Sequence, residues 1–164
     1  MIEERELPVG WVVENLGSVV NLKTGPFGSS LHKADYVSSG IPVVNPMHIS
    51  NGRIVPDQKT TVAKKTFERL GEFRLEEKDV VLGRRGEMGR AAVVRKLEAG
   101  WLCGTGSLIL RQHGALVPDY LQRYLSSPAV VFTLEGESVG STMVNLNQGI
   151  LKGTSNNQQI AEAL

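Results

Sequence analysis

Two short apolar runs, residues 79–82 and 91–94, bracket the segment Gly83-Arg84-Arg85-Gly86-Glu87-Met88-Gly89-Arg90. Runs rich in β-branched residues read as strands, and the glycine-framed connection between them predicts a hairpin with a wide loop. That loop concentrates guanidinium groups. Their planar forks match phosphate oxygens and the N7/O6 edge of guanine, and glycines at a spacing of three remove side chains that would hold a partner's backbone away. The pattern points to a loop that reads nucleic acid; the competing reading is an ordinary turn whose arginines are solvated.

At 164 residues the chain is long enough for one sizeable core and too short for two ordinary domains. Apolar residues make up 41% and charged residues 21%, and no stretch approaches the roughly 18 uninterrupted apolar residues of a membrane span, so a soluble globular domain is expected. Met1-Ile2-Glu3-Glu4-Arg5-Glu6 has neither the basic start nor the apolar run of a signal peptide, and Cys103 has no second cysteine for a disulfide framework. The reducing cytoplasm is the expected compartment. Net charge is only +1, so contact with DNA or RNA requires a local concentration of cations. One is available between residues 83 and 113, where Arg84, Arg85, Arg90, Arg95, Lys96 and Arg111 stand against Glu87 and Glu98. The rest of the chain is correspondingly acidic, which predicts one basic face.

Apolar spacing places a short helix or turn near residues 15–20 and a loop from Lys23 through Gly25-Pro26-Phe27-Gly28 to Ser30. Ile41-Pro42-Val43-Val44-Asn45 reads as a buried strand, Asn51-Gly52 as a tight turn, and Leu108-Ile109-Leu110 as a further strand. Thr61 is placed to cap a helix whose inner face is Val62, Ala63, Thr66, Phe67 and Leu70, ended by Gly71. Pro118 and Pro128 each open a later helix, residues 138–147 read as a polar loop, and residues 158–164 have helix-forming composition.

Catalytic and metal motifs are weak. His32, His48 and His113 stand far apart, and Gly104-Thr105-Gly106-Ser107 lacks the Gly-x-Ser-x-Gly turn of a hydrolase. The Gly25 loop lacks the lysine of a P-loop, and the glycines around Arg84 lack the spacing of a dinucleotide fingerprint. An enzyme built on Cys103, Ser107 and His113, a small hydrolase or transferase, stays open as a rival. So does a protein-interaction module using the Tyr120 to Leu125 helix and the chain end. The loops are nonetheless rich in bond-forming side chains: Lys23, Thr24, Ser29, Ser30, His32 and Lys33; Asn45 and His48; Arg84, Arg85, Glu87 and Arg90; Ser141, Thr142, Asn145 and Asn147. Brought together, they would put phosphate donors and base-edge readers on one surface.

The order of these pieces resembles a known family. Leu7-Pro8-Val9-Gly10-Trp11, the glycine-rich loop after Lys23, Ile41-Pro42-Val43-Val44-Asn45, the arginine hairpin, Cys103-Gly104-Thr105-Gly106-Ser107-Leu108, Pro118-Asp119-Tyr120-Leu121 and Gly140-Ser141-Thr142-Met143-Val144-Asn145-Leu146-Asn147 resemble, in sequence order, a target-recognition domain of type I restriction-modification specificity subunits. The resemblance runs from about residue 7 to 151. It implies an α/β (α+β) recognition domain with a mixed, mostly antiparallel twisted sheet, long loops and a few short helices, over residues 1–152. Residues 153–164 would then be a linker and the start of a spacer helix, of which Gln158, Gln159 and Ile160 match the entry while the family's preceding prolines are missing. The family implies sequence-specific binding of double-stranded DNA without catalysis in this chain, beside a methyltransferase subunit that uses S-adenosylmethionine and a motor-endonuclease subunit. It also implies a second recognition domain, or a copy of this one, for the other half of a split target. The expected mechanism has phosphate contacts setting register while Arg84 or Arg85 forks onto a guanine edge.

Overall fold

The computed structural model describes residues 9, 11–14, 16–114, 116–137 and 160–163. Its elements run β1 (Trp11–Glu14), α1 (Leu16–Val19), β2 (Val20–Thr24), β3 (Tyr36–Val37), β4 (Ile41–Val44), β5 (Ile49–Ser50), β6 (Arg53–Ile54), β7 (Thr61–Val62) and α2 (Lys64–Arg69). They continue with β8 (Val80–Gly83), β9 (Ala91–Val93), β10 (Leu102–Cys103), β11 (Ser107–Gln112), α3 (Pro118–Leu125), α4 (Pro128–Glu137) and β12 (Ile160–Ala163). Single 3-10 turns occupy Lys33–Asp35, Pro46–His48 and Gly71–Phe73.

The strongest apolar runs assemble into one antiparallel sheet in the order β2-β11-β8-β9. The predicted hairpin is its β8–β9 edge, with Val80 opposite Val93, Val81 opposite Ala92 and Leu82 opposite Ala91. Side chains alternate across a strand, so a run without polar interruptions has to be covered on both faces. Both covers exist. Val80, Leu82, Leu108 and Leu110 meet Leu16 and Val19 of α1, Leu121 and Leu125 of α3, and Val130 and Leu134 of α4. Val81, Ala92 and Ile109 point the other way, onto Val44, Ile49, Leu75 and Cys103.

The second cover is itself a sheet, β10-β4-β7-β3, parallel between β10 and β4 and antiparallel elsewhere. Its Val43, Val62 and Leu102 build a third apolar cluster with Leu31 and Leu70. Against the edge strand β9, β5 and β6 form a small hairpin closed by Asn51 and Gly52, whose φ angles of 50° and 73° are those the Asn-Gly pair predicts. The α/β class, the antiparallel bias and the few short helices are as expected, with the strands shared among several sheets rather than gathered in one.

Three local expectations yield to pairing between distant segments. Thr61 and Val62 form β7, and the helix begins only at Lys64. The Thr61 hydroxyl does not cap that helix; it donates to the Val37 carbonyl and accepts the Gly40 N–H. Lys23 and Thr24, predicted as loop, extend β2 opposite Ile109 and Leu108. Ile160–Ala163, within the predicted helix start, pairs antiparallel with β1. A ladder on an existing strand satisfies the backbone groups of this segment directly.

Candidate nucleic-acid interface

One end of the main sheet gathers the connections before and after its strands, and hydrogen bonds tie them to one another. Gly25 N–H donates to the Ser107 carbonyl at 3.0 Å, and Arg84 N–H to the Gly106 carbonyl at 2.9 Å. Gly106 N–H donates to Asn45 Oδ1 at 3.3 Å, and Arg90 Nη1 to the Pro46 carbonyl at 3.3 Å. The turn at residues 104–106 sits at the centre of these ties and needs its small residues. A Cβ on Gly104 would overlap the Asn45 amide, and one on Gly25 would overlap the Gly104 carbonyl. Loops 25–33, 45–48, 84–90 and 104–107 therefore share one joined edge.

The arginines on that edge are not equivalent. Arg84 is only 8% exposed, and its Nε donates to the Thr105 carbonyl at 3.0 Å. Burial, and then the neighbouring Arg85 charge, pull its pKa below the ordinary guanidinium value. Arg84 is thus a brace inside the loop, which corrects its expected equivalence with Arg85. Arg90 forks onto Glu87 Oε2 at 2.7 and 3.0 Å while reaching Pro46. Arg85 is exposed and has no hydrogen-bond or ion-pair partner among the described residues. The glycine frame divides likewise. Gly83 lies against Pro46, and a Cβ on Gly89 would overlap Val131, so these two serve internal packing. Gly86, at φ 76°, alone faces open space.

The predicted basic face is smaller than its cation count. Arg111 is held by Asp79 and Glu76, and Arg95 by Asp119 at 2.8 Å. With Arg84 buried and Arg90 paired, Arg85 and Lys96 are the cations of that segment without an ionic partner among the described residues, and Lys96 lies beyond the opposite end of β9.

The other predicted residues also separate. Ser29, His32 and Lys33 are exposed on the loop after β2, which Arg69 clamps by donating from Nη1 to the Ser30 carbonyl at 2.6 Å. Thr24 and Ser30 are half-buried at its two ends, and Asn45 is occupied by Gly106. Lys23 leaves the edge: its ammonium pairs with Glu72 at 3.1 Å and lies over the Phe73 ring. His48 is 3% exposed; its Nδ1 accepts the Asn45 N–H at 3.0 Å and its Nε2 meets Asp57 at 2.9 Å. It locks the 45–48 turn and does not face solvent, a correction forced by the neighbouring carboxylate. Ser141, Thr142, Asn145 and Asn147 lie outside the described residues. Phe27 and Met47, each 69% exposed, also stand on this edge, outside the expected set of site residues. The available signal was a large apolar residue flanked by turn formers, in Pro26-Phe27-Gly28 and after Pro46.

The rival enzyme has no accessible nucleophile. Cys103 and Ser107 are fully buried, and burial followed by the nearby Asp79 charge pushes the Cys103 thiol far above its ordinary value. His113 follows the far end of β11, about 20 Å from Ser107 at roughly 3.3 Å per residue. The apolar face of α3 is likewise committed, since Leu121 and Leu125 are core residues. No helix among the described residues is long and apolar enough to cross a membrane.

A family model for the type I restriction modification DNA specificity domain matches residues 8–160. The chain belongs to this family. Its members serve as DNA-recognition components and carry no catalysis of their own. No curated protein matches the chain. Solved structures share the domain's fold at low identity. A chain from a type I R-M system solved for its complex assembly and conformational transition is 19% identical with a TM-score of 0.65, covering 99% of this chain and 36% of its own. The HsdS subunit from Thermoanaerobacter tengcongensis is 18% identical with a TM-score of 0.64, covering 98% and 35%. The Type-I restriction-modification system S subunit from M. genitalium is 16% identical with a TM-score of 0.61, covering 99% and 36%. This specificity domain thus spans about a third of the length of the chains it matches.

Proposed function

We propose that this specificity domain reads one half of a bipartite double-stranded DNA target and directs a cytoplasmic type I methyltransferase subunit, and for cleavage a motor-endonuclease subunit, to that site. The observation that carries the proposal is the joined loop edge with the Arg85 guanidinium at its tip, unpaired among the described residues. A guanidinium already bound to a carboxylate has to give up that partner before it binds a base; among the described residues Arg85 has no such partner to give up. In this reading Arg85 forks onto guanine N7 and O6 in the major groove. Ser29, His32 and Lys33 contact phosphates and set register, Arg84, Glu87 and Arg90 hold the hairpin loop in shape, and Ser141, Thr142, Asn145 and Asn147 complete the polar set. Methyl transfer, with S-adenosylmethionine, belongs to the methyltransferase subunit, and a second recognition domain or a copy of this one reads the other half. Co-expression with the neighbouring methyltransferase, followed by mapping of methylated sites, tests the proposal. Replacing loop 84–90 should change one half of the methylated sequence and leave the other half intact. Methylation of the same sites by the loop-swapped chain would contradict it.

A further inference from the structure

Phe27 and Met47 are large apolar side chains that the fold leaves in water, and both stand on braced turns of the interface edge. The Phe27 carbonyl accepts the N–H groups of Ser30 at 2.8 Å and Leu31 at 3.2 Å, and Leu31 is sunk in the third apolar cluster. On the other side Pro26 is buried and Gly25 is tied to Ser107. Met47 is the middle residue of the Pro46–His48 turn, fixed by the His48 bonds to Asn45 and Asp57 and by Arg90 on the Pro46 carbonyl. Each turn is therefore held from both sides while its apolar residue is held out. A braced backbone lowers the ordering cost of binding, so these side chains are prepared for contact.

We propose that Phe27 and Met47 are specificity contacts that pack on thymine C5-methyl groups in the major groove beside the base pair read by Arg85, an inference that rests on the DNA reading proposed above. The thymine methyl is the apolar group the major groove displays, and phenyl or other apolar side chains recognise it by contact. Insertion between base steps is chiefly a minor-groove device, and Arg85 is assigned to a major-groove edge. A protein partner fits less well. Phe27 and Met47 are single apolar residues on separate loops, and the exposed Ser29, His32 and Lys33 that follow Phe27 give the edge the polar, cationic side chains suited to phosphate contact. The backbone also permits close approach, since a Cβ at Gly28 or Gly86 would meet nothing within 4 Å.

The test uses the full chain assembled with its methyltransferase subunit and duplexes carrying the mapped target, with each thymine of the half-site replaced singly by deoxyuridine. That exchange removes only the methyl group. The native complex should lose about fourfold in affinity at one or more positions, the worth of one buried methyl. Complexes carrying Phe27→Ala or Met47→Ala should bind the thymine and uracil duplexes alike at the position each contacts, with unchanged thermal melting. The inference is overturned if the native complex ignores every uracil exchange, if the variants stay as sensitive to uracil as the native chain, or if they instead lose the methyltransferase subunit. A native complex that does not prefer its target to a scrambled duplex would overturn the DNA reading itself, and this inference with it.

Discussion

The two ends of the β8–β9 hairpin carry similar charges and opposite chemistry. At its base Asp79, 2% exposed, accepts Arg111 Nε and Nη2 at 2.8 Å each and the Glu76 N–H at 2.8 Å, while Arg111 Nη1 reaches Glu76 at 3.1 Å. Here a carboxylate has left water and is held by a matching fork and a backbone N–H. At the tip Arg84 is folded inward, Arg90 is closed on Glu87, and Arg85 is exposed. Counting cations along the segment treats these groups as equal. What separates them is whether the fold has already supplied an acceptor, and only a guanidinium left without one is free for a ligand.

Breaking the base should have the largest effect. Asp79→Ala leaves Arg111 without its fork and the Glu76 N–H without an acceptor. Because the Arg111 side chain is 41% exposed, the loss belongs at the lower end of the range for broken buried pairs, about 3 kcal/mol. It would be measured as a lower urea midpoint at unchanged m. Breaking the tip should separate neighbours. Arg84→Ala removes a buried stem and one hydrogen bond and should cost about 1 to 2 kcal/mol, whereas Arg85→Ala should leave stability within roughly 0.5 kcal/mol. Equal losses at the two positions would erase the distinction drawn between them.

The smallest effect concerns acid. The His48 hydrogen bond first, and then the Thr60 and Lys59 N–H groups, hold the Asp57 carboxyl well below its ordinary value of 3.8. A folded value depressed in this way adds stability that is complete above the ordinary value and lost as pH falls through the lower one. Urea midpoints taken between about pH 5 and pH 2 should therefore fall more steeply for the native chain than for Asp57→Asn. Parallel slopes would show that the 45–48 turn does not depend on this carboxylate.

What could be read in the sequence was local. The arginine hairpin, the Asn51-Gly52 turn, the strand at Ile41–Val44 and the two proline-opened helices each carry their signal within a few residues, and each is present. The failures are non-local. Thr61 and Val62 are a strand because β3 and β4 flank them, and Lys23 is a strand residue because Ile109 lies opposite. The site follows the same rule. The Glu87–Arg90 pair is three residues apart and was readable, but Asp79 meets Arg111 across 32 residues and Lys23 meets Glu72 across 49. No charge count along the chain could show which cations those distant carboxylates would neutralise.

Arg85 at the hairpin tip is where these considerations meet, and binding of target and non-target duplexes by the assembled complex, titrated across salt concentration, tests it directly. Arg85→Ala should weaken the target complex by about 1 to 3 kcal/mol, roughly five- to 150-fold, and leave non-target affinity and its salt dependence unchanged. Unchanged target affinity, or an equal loss on every sequence with a salt slope lower by about one, would contradict the assignment of Arg85 as the base-reading residue.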